Sequence, residues 1–550
     1  MKINVNLKDL IHNYKEEVEA PRPVSKVGVV KAVICSLVFA FLYYYFVLPP
    51  INIFASEFYL AITIVTVATT IFVNIFCRRG FRKSFRLSKF AFKFLVGIWA
   101  IYFVMVIVSA PIFHAKSYSK VLELQEGVFK DDVAEVDFEK IPVVDRDTAV
   151  KLGSRKMGEM GDLVSQYSID PAYSQVTVNG KPMRNTPLVY SDLIKWLQNK
   201  SSGIPYYIAV DMADQDVMMV KLPQPIKYSF SDKFQRNIRR LIRFKYPTAI
   251  IDEINFEVDD KDHPYWVAST LKPTVGLIGA FDSNSVIVVD AVTGEANRYE
   301  VGQVPDWVDR VYSANLVMRQ LNWNGRMKRG FINQFIGQKG VTQPTDGYNY
   351  LSIDNDIYMY TGITSVLQDE SNIGFALINM RTKEAKFYPL SSADEHSAMD
   401  SAEGAVQEKG YTATFPILIN LYNRPTYFLS LKDNAGLIKT FAFIDAQNYQ
   451  TVRTGQTVKE ALKAFNESYA ASDHEPAETE KRNIIIEEIV PVTVEGNTNY
   501  FIKAKGDETI YIAGIAKSNR LPFLKAGDKI AIEGEAIGDG SQFNISAVED

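Results

Sequence analysis

Three uninterrupted apolar runs fall near the start of this chain and none follows them, which confines it to a membrane-anchored architecture. The first, Val27 to Val47, carries Lys31 as its only charge, near its start, where a long side chain reaches the interface. Pro49 and Pro50 close it. The second, Phe58 to Cys77, is uncharged, with Asn74 its one strongly polar member. The third, Phe94 to Phe113, is also uncharged and holds Trp99 and Tyr102. Each is long enough to cross a hydrocarbon core of ~30 Å. A cleavable signal would need a short basic start, one brief apolar stretch and a small-residue cleavage site. Here a mixed-charge segment precedes the first run and two further runs follow it.

The segment between the second and third runs holds Arg78, Arg79, Arg82, Lys83, Arg86 and Lys89 and no acidic residue. By the positive-inside rule it faces the cytoplasm. The N-terminus is then cytoplasmic too, the turn Pro49 to Glu57 external, and everything after the third run extracytoplasmic, on the cytoplasmic (inner) membrane of a bacterium. Topology alone accounts for these cations. Phe81, Phe85 and Phe90 among them would also suit contact with anionic lipid head groups.

Sixty basic against 64 acidic residues give a net charge of −4, which argues against a nucleic-acid partner. Cys35 and Cys77 both lie in apolar runs, so the external part is expected to contain no disulfide, no cysteine-based zinc site and no thiol nucleophile. His12, His114, His263, His396 and His474 show no metalloprotease spacing.

The external part reads as α+β. An acidic connector, Glu135 to Asp147, leads to a helix over Thr148 to Tyr167 and a hairpin over Tyr173 to Val189 that turns at Asn179-Gly180. A helix over Asp192 to Asn199 precedes strands at Tyr206 to Asp211 and Val217 to Leu222. An internal repeat follows. Pro264, Tyr265, Trp266, Ser269, Leu271 and Lys272, then Val275-Gly276-Leu277-Ile278, echo Pro425, Tyr427, Phe428, Ser430, Leu431 and Lys432, then Ala435-Gly436-Leu437-Ile438. Each copy runs on to Asp-Ala, at Asp290-Ala291 and Asp445-Ala446. Each is preceded by an expected helix, Asp232 to Lys245 or Asp394 to Lys409, and a strand opening at Tyr246 or Tyr411. The unit expected is helix, strand, strand, strand, with a glycine turn after the second strand.

This unit resembles the PepSY domain, a small helix-plus-three-strand module of protease propeptides and bacterial membrane-anchored proteins. The resemblance covers Ser231 to Glu300 and Ser391 to Val452, with a degenerate earlier copy a candidate over Thr148 to Leu222. It implies binding, inhibition or assembly rather than turnover. The segment Ala471 to Arg482 reads as a linker, and Asn483 to Asp550 as about five short strands closing a small β-barrel of OB or SH3-like type. The expected organisation is a cytoplasmic segment (1–26), a three-helix transmembrane region (27–114), a membrane-proximal α+β domain (115–230), a first PepSY-like repeat with a basic connector (231–345), a second repeat (346–470), a linker (471–482) and the barrel (483–550).

Candidate chemistry is sparse. Asp259, Asp260, Asp262 and His263 form the densest group of potential cation ligands, but without the calcium-loop pattern they read as an acidic hairpin loop. His396, beside Asp394 and Glu395, opens a helix, where acidic residues serve the dipole and the cap. The S-x-x-K spacing at Ser117 with Lys120 and at Ser269 with Lys272 lacks its companion motifs. Trp323 to Gly340, with Arg326, Lys328, Arg329 and Lys339 among Phe331, Phe335 and Ile336, reads as a basic connector with capacity for a partner or a membrane surface. No catalytic residue, metal ligand or cofactor is assigned. The expectation is a non-enzymatic scaffold or regulator whose partners are the lipid bilayer and other envelope proteins, with self-association left open. The competing expectation is an envelope enzyme acting on peptide or glycan, or its dedicated inhibitor subunit.

Overall fold

A computed structural model describes residues 26–77, 81–133, 141–353, 356–470, 480–494, 497–507, 509–514, 518, 520–537 and 542–548. Contacts divide the chain into two units, 1–462 and 463–550.

The first unit opens with three helices apolar and long enough to cross a membrane, Lys26–Val47, Ser56–Phe76 and Phe81–Val108, the apolar part of the last being Leu87–Val108. Gly28 lies so close to Phe76 that a Cβ there would strike the Phe76 carbonyl, a small-residue contact of the kind that joins helices in lipid. Of the basic segment, Arg78 and Arg79 lie outside the described residues. Helix already begins at Phe81, so that segment's second half extends the third span. The third span also ends earlier than the expected Phe113. Ala110 is extended (φ −64°, ψ 145°) because it precedes Pro111, and Pro111 starts a separate helix, Pro111–Ser119.

Beyond the spans lie four sheets whose main strands are antiparallel and follow a helix; the six-stranded one also takes Gln125–Glu126 as a parallel edge strand on Ala385–Ala393. The helices are Arg146–Gly158, Ile238–Lys245, Ala314–Met327 and Glu395–Ala405; we number the resulting modules 1 to 4. Module 2 is a meander of Ile250–Val258, Pro264–Val275, Gly279–Asp290 and Ala296–Glu300, one strand more than the expected unit. Module 4 carries five strands, including the repeat's Arg424–Lys432 and Ile438–Asp445. Counted from the shared Asp-Ala pair, Trp266 corresponds to Tyr427, each opposite the residue before the aspartate (Val289 and Ile444), whereas Phe428 corresponds to Val267 on the other strand face; Gly276 and Gly436 turn with φ of 61° and 75°.

One hydrogen-bond device recurs in all four modules. Where each penultimate strand ends, Asp211, Asp290, Asn379 or Asp445 accepts, through Oδ1, the amides two and three residues on, at 2.7–3.1 Å. The following residue's carbonyl then ties back to the module's entry. Met212 O accepts from Val143 and Val144 N, Ala291 O from Lys227 and Tyr228 N, Met380 O from Val311 and Tyr312 N, and Ala446 O from Ala393 N. A side-chain acceptor comes directly after that tie, Asp145, Ser229, Ser313 or Asp394, each accepting a backbone amide three residues ahead; Asp145, Ser313 and Asp394 thereby cap their helices, while helix Ile238–Lys245 is capped by Asn237.

Helix Ala314–Met327 therefore begins module 3 rather than a connector. Its apolar stripe, Ala314, Leu316, Val317 and Leu321, packs between the sheets of modules 2 and 3. The module 4 helix likewise lies between sheets, with Ala398 and Ala402 against Tyr360, Phe375 and Leu377 of module 3 and Tyr427 and Leu429 of module 4. The module 3 sheet is thus buried on both faces.

Module 2 docks on the turn between the first two spans and on the Ser109 end of the third. Ile51 N donates to Pro247 O at 2.8 Å, Asn52 Nδ2 to Thr248 O at 2.8 Å, and Arg243 Nε to Leu48 O at 3.0 Å. Arg240 lies over the Tyr45 ring at 4.0 Å. The turn at Gly276 rests on the end of the third span, where Ser109 Oγ accepts from Leu277 and Ile278 N at 2.8 and 2.9 Å. A Cβ on Gly276 would lie 2.7 Å from that oxygen, and its φ is left-handed. Gly276→Val is therefore expected to destabilise the protein by about 1–3 kcal/mol, read as a lower unfolding midpoint in detergent. Gly302→Ala, also at positive φ but with open space around it, should cost less.

In the second unit, Glu480–Val494, Asn497–Ala504, Ile510–Gly514, Lys529–Ile537 and Gln542–Val548 close a five-stranded barrel. Its core is Ile486, Ile502, Tyr511, Ile532, Phe543 and Ile545. Of the expected linker, Glu480, Lys481 and Arg482 belong to the first barrel strand, where they pair with Gly534, Glu533 and Ile532. Residues 471–479 lie outside the described residues.

Candidate functional site

The modules of the first unit meet around a cavity of about 420 Å³, within the ~300–1,000 Å³ usual for ligand sites. Module 1 supplies Gln175 and Arg184, which face each other across the hairpin turned at Asn179-Gly180 and so point to one side of the sheet. Module 2 supplies Phe256 and Trp266, a cross-strand pair with ring centroids 5.4 Å apart, and Phe230 closes on Trp266 at 4.8 Å. Arg310, Tyr348 and Tyr350 enter from module 3 and its entry segment, and Phe415 from module 4. The walls are knit together by Phe256 N donating to Ser174 Oγ at 3.2 Å, Thr177 N to Asp309 Oδ2 at 2.6 Å, Asn349 Nδ2 to Phe415 O at 3.0 Å, and Lys432 pairing with Asp145 at 2.6 Å.

Two buried guanidiniums dominate the electrostatics. Arg184 donates through Nε to Val144 O at 3.1 Å, its one hydrogen bond among the described residues. Burial, which penalises its charge, pulls it down to about 10, although Asp145 opposes this. Arg310 sits over the Tyr350 ring at 4.8 Å and reaches Glu253 only at 3.7 Å; its Nε has no partner among the described residues. Burial works against this charge also, but Tyr350, Glu253 and Glu257 raise it above the usual guanidinium value. Gln175 is 1% exposed, and among the described residues neither its amide atoms nor the Tyr350 hydroxyl has a hydrogen-bond partner. Buried polar groups are normally satisfied, so a wall with this many open donors is built for something that satisfies them.

The carboxylates lining the cavity are mostly committed. Asp145 caps Thr148 N at 2.9 Å and pairs with Lys432; burial opposes its charge, but these bonds hold it below the usual range. Asp170 accepts from Ala172 N at 2.9 Å. Behind the wall, Glu257 Oε2 accepts from Asp309 N at 3.0 Å, while Glu257 Oε1 is unpartnered. Burial pushes Glu257 up to about 7 and raises Asp309 well above a normal aspartate, each carboxyl opposing the other's ionisation.

No protein-family model matches the sequence, and no curated protein is significantly similar to it. What the chain does must therefore be argued from its own residues.

The residues singled out in the sequence lie elsewhere. Asp259 Oδ1 accepts from Lys261 and His263 N at 2.9 Å, Asp260 from Asn179 N at 3.3 Å, and Asp262, at φ 60°, from Tyr207 OH at 2.7 Å; His263 Nε2 lies 3.2 Å from Asp290. They form a hairpin turn, and among the described residues no three or more His, Cys, Asp or Glu converge as metal ligands. His396 Nε2 lies 3.0 Å from Asp346 O, and its neighbour Glu395 is buried, accepting from Tyr360 OH at 2.7 Å. Ser269 is buried and donates to Val311 O at 2.9 Å. Its spacing from Lys272 puts the two side chains on opposite strand faces. Ser117 is exposed near the end of helix Pro111–Ser119.

The sequence reading passed over Arg184, Arg310 and Gln175. Their signal was available: a charged residue or amide within or beside strand-like segments, at a face the fold buries, must either be paired or serve a ligand.

Proposed function

We propose that this protein is a non-enzymatic scaffold or regulator of the bacterial cytoplasmic membrane. Its N-terminus is inside, its PepSY-like modules are outside, and it binds other envelope proteins through the cleft between the modules. The observation that carries the reading is that cleft, whose aromatic walls and unpaired donors come from separate modules joined by direct hydrogen bonds and an ion pair between them. The terminal barrel's strand order, first-second-third-fifth-fourth, supports an OB-type assignment. Ile332, Phe335 and Ile336 are exposed just beyond helix Ala314–Met327, which packs on helix Pro111–Ser119 after the third span. Arg329 and Lys339 flank them, a composition suited to resting on the bilayer surface.

The test uses one accessible thiol. With Cys35 and Cys77 changed to alanine, Tyr348→Cys places a cysteine at the cleft, where the native side chain is 39% exposed. In spheroplasts, a membrane-impermeant thiol-reactive photo-crosslinker is expected to label it and capture a protein. Ser202→Cys, exposed and away from the cleft, should be labelled without capture. Labelling only after lysis would refute the external location; labelling without capture at Tyr348 would refute the protein-binding role.

A further inference from the structure

The chemistry of the cleft narrows what it takes. Arg184 and Arg310 line the same cavity, the charge of Arg310 acts on Arg184, and both act on the Tyr350 hydroxyl, so the two guanidiniums belong to one site. Among the described residues neither has a carboxylate within hydrogen-bonding distance: Glu253 lies 3.7 Å from Arg310. Burying a guanidinium without an acceptor is costly, and a fork of donors is best satisfied by a planar oxyanion. Gln175, opposite Arg184 on the paired strand, adds an amide with both atoms unpartnered among the described residues. Asp147, Asp170 and Glu253 also line the cavity, and their charge disfavours a dianion. Phe230, Phe256, Trp266 and Phe415 offer flat apolar walls to the rest of the ligand.

We infer that the cleft binds a monoanionic carboxylate, held between Arg184 and Arg310 beside Gln175, with an apolar or peptide-like body against the aromatic walls. This rests on the reading of the cleft as the binding site. The same group is offered by a peptide C-terminus and by a free organic acid.

The test is isothermal titration of the full chain in nanodiscs with N-acetylated tripeptides, the same peptides amidated at the C-terminus, benzoate, and inorganic phosphate. Carboxylate probes are expected to bind, and amidation to weaken the peptides at least about tenfold. Binding of the peptides but not benzoate would identify a chain end, and the converse a free acid; either supports the inference. Equal binding of acid and amide, tighter binding of phosphate, or no binding of any carboxylate at millimolar concentration would overturn it.

Arg310→Gln should weaken carboxylate binding at least about tenfold. Because removing a buried arginine can unfold a protein, Gln175→Glu is the second variant. It places a carboxylate beside Arg184, so it should abolish carboxylate binding while raising the melting temperature. A Gln175→Glu protein that binds unchanged, or that melts lower while still binding, would refute the site. Capture from Tyr348→Cys without carboxylate binding would leave the protein-binding reading standing and remove this one. Carboxylate binding without capture would support this inference and restrict the occupant to a free small molecule.

Discussion

Trp266→Ala is expected to lower the unfolding free energy of the detergent-solubilised chain by about 3–5 kcal/mol, the usual cost of emptying an aromatic site in a packed core. Trp266 is 2% exposed, touches Phe230 and Phe256, and donates through Nε1 to Tyr228 O at 2.7 Å. That hydrogen bond reaches the entry segment that also closes on Ala291, so the substitution attacks the module's packing and its closure together. Phe428 in module 4 is as deeply buried and sits 5.0 Å from Phe443 and 6.1 Å from Phe441, but it has no polar tie. Phe428→Ala should therefore fall at the lower end of the same range. Urea unfolding followed by tryptophan-independent circular dichroism measures both. A loss under about 1 kcal/mol at Trp266 would mean that its ring is not packed in the module 2 core; Phe428, on the opposite strand face from the Trp266 equivalent Tyr427, reports on a different packing layer.

How far the sequence could be read follows from what each signal depends on. The hairpin at Asn179-Gly180 was legible because left-handed φ at both turn residues, 51° and 77°, is a local demand that Asn and Gly meet. The barrel strands were legible for the same kind of local reason, alternation broken by turn residues. The third module was not. Its helix hides in a segment whose basic residues draw the eye to its end at Trp323 to Gly340, while its apolar stripe is the ordinary pattern of any amphipathic helix.

The fourfold device was half visible. Asp290-Ala291 and Asp445-Ala446 match as letters, but Asp211-Met212 and Asn379-Met380 do the same work with a different second residue. The second position contributes its backbone carbonyl, which leaves its side chain unconstrained by the motif. The candidate site was hidden for another reason. Arg184, Gln175 and Arg310 acquire meaning only when strands from different modules converge, and neither periodicity nor spacing encodes that convergence.

Glu257 and Asp309, behind the Arg310 wall, should make the protein less stable as the pH rises. Both folded-state carboxyls titrate above their ordinary values, chiefly because burial penalises the charged form, so the native state holds protons that the unfolded chain has released. With more protons bound in the native than in the unfolded state, stability falls with rising pH. The contribution is complete below about pH 4, where both states are protonated, and is lost as the pH passes through about 7 for Glu257, with the pair titrating as one coupled unit.

Asp232, raised to about 6 by burial, adds a slope of the same sign, and Asp145 and Asp290, held low by their partners, one of the opposite sign in more acidic solution. The variants rather than the wild-type profile therefore isolate the pair. Glu257→Gln with Asp309→Asn keeps the shape and removes the ionisation, so it should match the wild type near pH 4 and exceed it at pH 8, measured by urea unfolding across that range. A double variant that loses stability equally at both ends would show that the carboxyls are ionised in the folded state and serve Arg310 as its counter-charges instead.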